Sequence, residues 1–297
     1  MPTTSYRQLW QQLVPRYDES EAKAIVRMVL DMRFGLSMAA VYSGGVEQLS
    51  ADRQSELARI MHRLTAGEPV QYVLGEAPFA QDIYKVRAGV LIPRPETEEL
   101  VDWISPPDTP GCLQGTLLDM GTGSGCIAIT LAKRNPQVRV TGWDLSPIAL
   151  SVAAENARRL QADVTFERKD ILKEGRSEDA KASLSLPPSK GWDLIVSNPP
   201  YICEQEKSAM HANVLEHEPC EALFVPDSDP LLFYRAIADF SMEWLKNEGK
   251  LYFEINPLYA RELTDLLTRR GYTSVETRCD AFGKERFIKA TWKQPEK

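Results

Sequence analysis

The spacing of apolar positions changes character along the chain and divides it into three stretches. In the first, over residues 5 to about 66, Leu9, Leu13, Ala24, Ile25, Met28, Val29 and Met32 recur near helical spacing. Asp18-Glu19-Ser20-Glu21 reads as a helix start, with acids where the helix dipole favours them. Ser50-Ala51-Asp52-Arg53 opens another helix, with Leu57, Ile60, Met61 and Leu64 on one face. Gly44-Gly45 and Gly67-Glu68-Pro69 punctuate the pattern. A small helical bundle is predicted over residues 1–78.

The second stretch, residues 79–112, reads as a connector. Ile83, Tyr84, Val86, Val90 and Leu91 predict a short β-hairpin around Arg87-Ala88-Gly89, stopped by Pro93-Arg94-Pro95. A helix follows from Thr97 to Ile104, ended by Ser105-Pro106-Pro107.

In the third stretch, residues 113–297, apolar runs alternate with helical patterns. Strands are predicted at 116–120, 138–143, 164–168, 193–197 and 250–255. Helices are predicted at 125–134, 147–160, 230–246 and 258–270. Such alternation predicts a mainly parallel sheet with helices on both faces. Two closing strands, near 273–278 and 286–292, are separated only by a short turn. They must pair antiparallel, because a parallel pair needs a longer crossover. The Ser-, Ala- and Pro-rich segment Ser177–Lys190 breaks the rhythm and reads as a flexible surface insertion.

Composition sets limits on this picture. With 297 residues, 43% hydrophobic and 26% charged, the chain is of ordinary globular type and long enough for two domains. The net charge of −7 weighs against a free-standing protein that grips long nucleic acid. The five cysteines include no C-x-x-C pair, and the three histidines are scattered. No metal site or disulfide framework is expected, and a reducing cytoplasm is the simple reading. No basic-then-apolar leader and no run of about 18 apolar residues is present, so no membrane association is expected.

Candidate chemistry begins at Leu117-Leu118-Asp119-Met120-Gly121-Thr122-Gly123-Ser124-Gly125, a strand, a glycine loop and a helix start. The spacing G-x-G-x-G departs from the G-x-G-x-x-G of dinucleotide sites. The acid Asp119 before the loop is no aid to a pyrophosphate but suits the cationic amino end of S-adenosylmethionine. Asp144, at the end of the next strand, can accept both hydroxyls of a ribose. Its alternative, capping the helix from Pro147, is better served by Ser146. Asp170 ends the third strand, where it could accept an adenine amino group with Ile171 packed on the ring. On its own, Asp170 reads equally well as a surface acid; in series with Asp119 and Asp144 the cofactor role is expected.

The second motif is Asn198-Pro199-Pro200-Tyr201, directly after the apolar run Asp193-Leu194-Ile195-Val196. Proline restricts the residue before it to extended geometry, so Asn198 and Pro199 are both held. The Asn198 side-chain oxygen and the Pro199 carbonyl can accept both N–H bonds of one planar NH2 group while Tyr201 covers its face. A plain strand-ending turn is the alternative. With the glycine loop upstream, the pair points to methyl transfer from S-adenosylmethionine to a planar nitrogen, without a dedicated base.

These motifs, in this order, resemble the class I S-adenosylmethionine-dependent methyltransferases that modify exocyclic amino or amide nitrogens. Further segments are similar to the HemK family: Gln71–Gly75, Ile92-Pro93-Arg94-Pro95-Glu96-Thr97-Glu98, Glu218-Pro219 with Ala222-Leu223, and Tyr234-Arg235. That family methylates the glutamine side-chain nitrogen in the Gly-Gly-Gln motif of class I peptide-chain release factors. The resemblance implies a seven-stranded sheet with the last strand antiparallel, a release factor as partner and no direct nucleic-acid contact. An adenine-N6 DNA or RNA methyltransferase and a ribosomal-protein glutamine methyltransferase share the acceptor motif and stay as alternatives. A catalytically idle cofactor-binding adaptor has no need of that motif. The chain departs from the family pattern at Val225-Pro226-Asp227, where glycines are usual, and in the long Ser177–Lys190 segment. Arg94–Glu98 has two readings, closure over the methionine end of the cofactor or a helix cap with Thr97 at the N-cap.

Overall fold

The computed structural model describes residues 5–174 and 191–294; the predicted insertion lies outside the described residues. The chain forms two compact units. Met1–Ala77 and His211–His217 make one, and Pro78–Met210 with Glu218–Lys297 make the other.

The first unit is helical: α1 (Tyr6–Gln11), α2 (Glu19–Phe34), α3 (Met38–Tyr42), α4 (Ala51–Thr65) and α5 (Val70–Leu74), joined by the distant segment Ala212–His217. Its core contains Leu13, Val26, Val29, Leu30, Leu57, Met61 and Leu64. The start signals act as expected. The Asp18 carboxylate accepts from the Glu21 N–H (2.9 Å), and the Ser50 hydroxyl accepts from Arg53 (3.4 Å). Arg16 pairs with Glu216 at 3.3 Å, tying the late segment to the early helices.

In the second unit the predicted hairpin is displaced. Strands β1 (Glu76–Phe79) and β2 (Asp82–Lys85) turn at Ala80-Gln81, with Ala80 at φ +53°, and not around Arg87–Gly89. The Lys85 backbone is instead held at both its N–H (2.7 Å) and C=O (3.0 Å) by the Asn156 carboxamide, so the chain needs no returning strand there. Helix α6 (Pro95–Ile104) starts earlier than predicted. Pro95, lacking an N–H and with its φ already fixed, takes the first position, so Thr97 is not the N-cap.

The remaining strands are β3 (Thr116–Met120), β4 (Arg139–Asp144), β5 (Val164–Arg168), β6 (Trp192–Ser197), the short β7 (Ile202–Cys203) and β8 (Phe224–Val225), β9 (Leu245–Glu254), β10 (Thr273–Cys279) and β11 (Glu285–Thr291). All but β7 and β8 join one seven-stranded sheet, in the order β10-β11-β9-β6-β3-β4-β5. All neighbours in it are parallel except β11, which runs antiparallel to both β9 and β10. Alternate strand residues enter cores on opposite faces. Leu118 and Ile195 pack with Ile237 and Leu263 on one side, and Leu117, Leu194 and Val196 pack with Leu100 and Ile127 on the other. From β3 the chain builds outward through β4 and β5, then returns to place β6 on the other side of β3. The carboxyl ends of β3 and β6 therefore flank a topological switch point, where open α/β sheets bind ligands.

The two-residue strands β7 and β8 pair parallel with each other and have no counterpart in the sequence reading. This pair uses the departure at Val225–Asp227. Val225 pairs with Cys203, and the Asp227 carboxylate accepts the Gln205 N–H at 3.0 Å.

Candidate active site

The glycine loop joins β3 to α7 (Cys126–Arg134) at the switch point. Gly121 and Thr122 both donate their N–H to the Trp143 carbonyl (2.8 Å each), which docks the loop on the end of β4. Gly125 (φ +82°) has no room for a side chain: a Cβ would lie 2.8 Å from Ile129 Cδ1 and 3.2 Å from Ala153 Cβ. Gly123 (φ +55°) is the opposite case, with nothing within 4 Å of such an atom. One glycine serves close helix packing, and the other leaves the loop open on its outer side.

Asp119 sits beneath this loop with 0% of its surface exposed. One carboxylate oxygen accepts from the Thr122 hydroxyl (2.7 Å) and the Ala128 N–H (3.2 Å); the other is buried without a partner. Burial raises its pKa to about 7, against the pull of those two hydrogen bonds. In this arrangement Asp119 braces the loop and offers no surface of its own to a ligand. Thr122 and Ser124 are also buried.

Asp144 ends β4 half-buried, with both oxygens engaged. Oδ2 accepts the Gly123 N–H (2.9 Å) and Oδ1 the Ser146 N–H (2.8 Å). Burial raises its pKa and backbone N–H groups oppose the rise. Ser146 is the N-cap of α8 (Pro147–Leu160), accepting from Ala149, so the predicted cap is in place. Leu145, between the two, is 54% exposed, an apolar surface beside the acid that the sequence reading does not include.

Asp170 does local work. Its Oδ1 accepts the Leu172 N–H (3.1 Å), and Oδ2 pairs with Lys173 at 3.0 Å. Ile171 is largely buried and packs in the core that contains Leu118 and Trp143. No hydrogen bond links Asp170 to the glycine loop among the described residues.

The Asn198–Tyr201 motif leaves the carboxyl end of β6, beside the glycine loop. The Ser197 hydroxyl donates to the Met120 carbonyl, joining the two strand ends. The Asn198 carbonyl lies 4.0 Å from where a Gly121 Cβ would be. Asn198 Nδ2 contacts Thr97 Oγ1 at 3.1 Å, and Thr97 Oγ1 is 2.7 Å from Glu254 Oε2. The Tyr201 hydroxyl donates to Glu254 Oε1 at 2.9 Å, and Asn256 Nδ2 donates to the Tyr201 carbonyl at 3.1 Å. Pro199 is buried and Pro200 half-buried. Burial and the neighbouring Glu254 push the Tyr201 phenol well above its ordinary range, so it remains protonated.

The sequence reading does not include Thr97 or Glu254 among the catalytic and binding residues. Glu254, 1% exposed, has its pKa raised by burial, with two hydroxyl donors and the charge of Arg286 working the other way. A signal existed: Glu254 is the lone charge in the apolar run Leu251-Tyr252-Phe253-Glu254-Ile255. Its neighbourhood is anchored elsewhere too. Arg94 donates to the buried Glu218 at 2.6 Å, and Glu218 also accepts the Ile92 N–H (3.1 Å), which fixes the chain entering α6. Among the described residues no group of three or more His, Cys, Asp or Glu could hold a metal ion, and the five cysteines are free.

An open glycine face, an acid at the next strand end and a carboxamide on the other flank fit a nucleoside-type cofactor beside an NH2-bearing acceptor. Comparison with known proteins bears on the chain as a whole. Residues 6–75 match the PrmC N-terminal domain and residues 97–223 the methyltransferase small domain. The chain is 45% identical to a release factor glutamine methyltransferase of Bacteroides thetaiotaomicron, over 94% of this chain and 96% of that one. It is 38% identical to one of Flavobacterium psychrophilum, over 97% and 99%. A Streptococcus pneumoniae relative of the same name is 35% identical over 94% of each. The chain belongs to the release factor glutamine methyltransferase family.

Proposed function

We propose that this protein methylates the side-chain amide nitrogen, N5, of the glutamine in the Gly-Gly-Gln motif of class I peptide-chain release factors. S-adenosylmethionine is the cofactor and, when bound, supplies a methyl group on a positively charged sulfur. Asp144, Leu145 and the open side of Gly123 are suited to hold its nucleoside portion, with Asp119 acting through the loop it braces. The observation that carries the reading is the placement of Asn198 beside the glycine loop, with its carboxamide held from behind by Thr97.

An amide nitrogen is a weak nucleophile, because its lone pair is delocalised. Asn198 Oδ1 and the Pro199 carbonyl accept its two N–H bonds and hold the nitrogen in line with the methyl. Thr97 holds the Asn198 carboxamide and the two prolines restrict the backbone before substrate arrives, so little reorganisation is needed as positive charge builds. As the N–C bond forms and the S–C bond breaks, the nitrogen becomes acidic and its proton passes to solvent. Tyr201, locked to Glu254 and Asn256, covers the amide plane.

The helical unit, including the predicted domain of residues 1–78, serves recognition of the protein substrate, since one glutamine amide offers too little surface for selectivity. Residues 79–112 connect it to the methyltransferase domain, 113–297. The net charge of −7 favours a protein over a nucleic-acid substrate. Among the described residues no helix is long and apolar enough to cross a membrane, and the cytoplasm, where release factors act, is the proposed location.

The test is mass spectrometry of a release factor and of an adenine-containing oligonucleotide after incubation with enzyme and cofactor. One added methyl on the Gly-Gly-Gln glutamine is expected, with turnover about 10²–10³-fold lower in Asn198→Ala. Methylated adenine with an unmodified release factor would overturn the reading.

A further inference from the structure

We infer that Thr97 and Glu254 form a directional relay that sets which end of the Asn198 carboxamide faces the methyl acceptor. The inference rests on the proposed clamp role of Asn198 and adds two positioning residues to it.

An asparagine amide has an accepting end and a donating end of nearly the same shape, and only the accepting end can receive N–H bonds from a substrate NH2. With Nδ2 outward, the clamp would present donors to donors. Something must exclude that flipped state, and the chain of bonds does so. Glu254 is a carboxylate with two hydroxyls on it, Thr97 on Oε2 (2.7 Å) and Tyr201 on Oε1 (2.9 Å). An ionised carboxylate only accepts, so each hydroxyl spends its single proton on Glu254. The Thr97 oxygen then has only lone pairs left to offer. Its other neighbour, Asn198, 3.1 Å away, must give it an N–H. Nδ2 is thereby turned to Thr97 and Oδ1 is free for the substrate.

The relay draws on three separate elements. Thr97 comes from the first turn of α6, Glu254 from the end of β9, and Asn198 from the end of β6. Thr97 and Glu254 are both almost wholly buried, so water cannot readily replace either partner. Burial pushes the Glu254 pKa up, and the Thr97 and Tyr201 hydroxyls together with the charge of Arg286, itself paired with Asp280 at 3.2 Å, work against that rise in favour of the ionised, accepting form.

The experiment compares wild type with Thr97→Ser, Thr97→Val, Glu254→Gln and the Thr97→Val/Glu254→Gln double variant. Each is first checked for S-adenosylmethionine affinity by calorimetry and for thermal stability. Hydrogen exchange of the Asn198 side-chain NH2, followed by nitrogen-edited NMR, reads the orientation without any turnover. Slow exchange is expected in wild type and Thr97→Ser, and fast exchange in Thr97→Val. Turnover should fall roughly 2- to 10-fold in Thr97→Val, as for loss of one neutral hydrogen bond, with KM for the protein substrate and cofactor affinity unchanged. Thr97→Ser should restore it. Glu254→Gln should lower turnover more when Thr97 is present than in the Thr97→Val background, because one part of its effect passes through that hydroxyl and the rest through Tyr201. Fast exchange of the wild-type Asn198 amide, equal losses in Thr97→Ser and Thr97→Val, or additive losses in the double variant would each overturn the relay. Failure of wild type to methylate a release factor would overturn the proposed function and leave the exchange result standing by itself. If Thr97→Val does not fold, exchange of the Asn198 amide still decides the matter: slow exchange in wild type and Thr97→Ser with faster exchange in Glu254→Gln supports the relay, and equal exchange in all three overturns it.

Discussion

Two glycines two residues apart should respond to the same substitution in opposite ways. Gly125→Ala places a methyl where Ile129 Cδ1 would be 2.8 Å away and Ala153 Cβ and Cα 3.2 and 3.3 Å away. Carbon atoms prefer about 3.5–4.0 Å. The isoleucine methyl can swing aside, but the Ala153 backbone belongs to α8 and cannot. Overpacking of this kind costs about 1–3 kcal/mol, and a left-handed φ of +82° adds about 1–2 kcal/mol for a residue with a Cβ. The sum, about 2–5 kcal/mol, corresponds to roughly 4–20 °C in Tm for a domain of this size. Gly123→Ala meets nothing within 4 Å at φ +55°, so only the backbone cost of about 1 kcal/mol applies, roughly 2–4 °C. Its methyl instead projects from the open side of the loop, toward the proposed cofactor site. A clash there of about 1.5–3 kcal/mol lowers affinity roughly 10- to 100-fold. Thermal unfolding without cofactor and calorimetric titration with S-adenosylmethionine separate the two effects. Native affinity in Gly123→Ala would mean that the loop does not cradle the cofactor. A Tm within about 2 °C of wild type in Gly125→Ala would refute the packing argument.

Asp119→Asn should change the pH dependence of stability. The folded pKa of about 7 lies above the ordinary value of 3.8, so the folded state holds a proton that the unfolded state releases. That contribution is complete below the ordinary carboxylate range and is lost as pH rises through about 7. Without cofactor, the Tm of wild type relative to Asp119→Asn should therefore fall between about pH 4 and 7 and level off above that, and parallel curves would refute the buried-acid account. Deleting residues 1–75 should leave S-adenosylmethionine binding intact and sharply reduce kcat/KM on intact release factor, provided circular dichroism shows a folded second unit. Unchanged kcat/KM would remove the helical unit from recognition.

Much of the fold is legible because it is written locally. Leu117-Leu118 and Leu194-Ile195-Val196 are short apolar runs of the kind that central parallel strands require, buried on both faces. The glycine loop and Asn198-Pro199-Pro200-Tyr201 are legible as chemistry because each follows such a run and each contains residues that restrict or free the backbone. What escapes notice depends on long-range partners. The hairpin is misplaced because Val86 and Val90 alternate like a strand while the Lys85 backbone is satisfied by Asn156. Thr97 reads as a helix cap from its position near prolines, yet its hydroxyl serves a carboxylate 157 residues away in sequence. No periodicity announces a pair at that separation. Helix Ala212–His217 belongs to a unit whose other helices end at Leu74, and nothing in its own composition says so.

The sheet order explains why two motifs so far apart in sequence make one site. Had β6 been added beyond β5, in simple sequence order, Asn198 would lie three strands from the glycine loop, roughly 14 Å away at the usual strand spacing. The reversal after β5 puts β6 directly against β3, with Leu117 opposite Leu194 and Asp119 opposite Val196. Both chains then leave the sheet at the same edge, one as the glycine loop and the other as the acceptor motif. The same edge explains why each Asp144 oxygen already accepts one backbone N–H, with lone pairs left over. Its two oxygens hold Gly123 and Ser146, so the shape of the loop is already fixed by the strand on its other side. The proposed cofactor side and acceptor side are thus braced by different residues, Asp144 and Asp119 on one flank and Glu254 through Thr97 on the other. If those roles hold, substitutions on the first flank should lower affinity for S-adenosylmethionine and substitutions on the second should lower turnover at constant affinity, so these two measurements tell their residues apart.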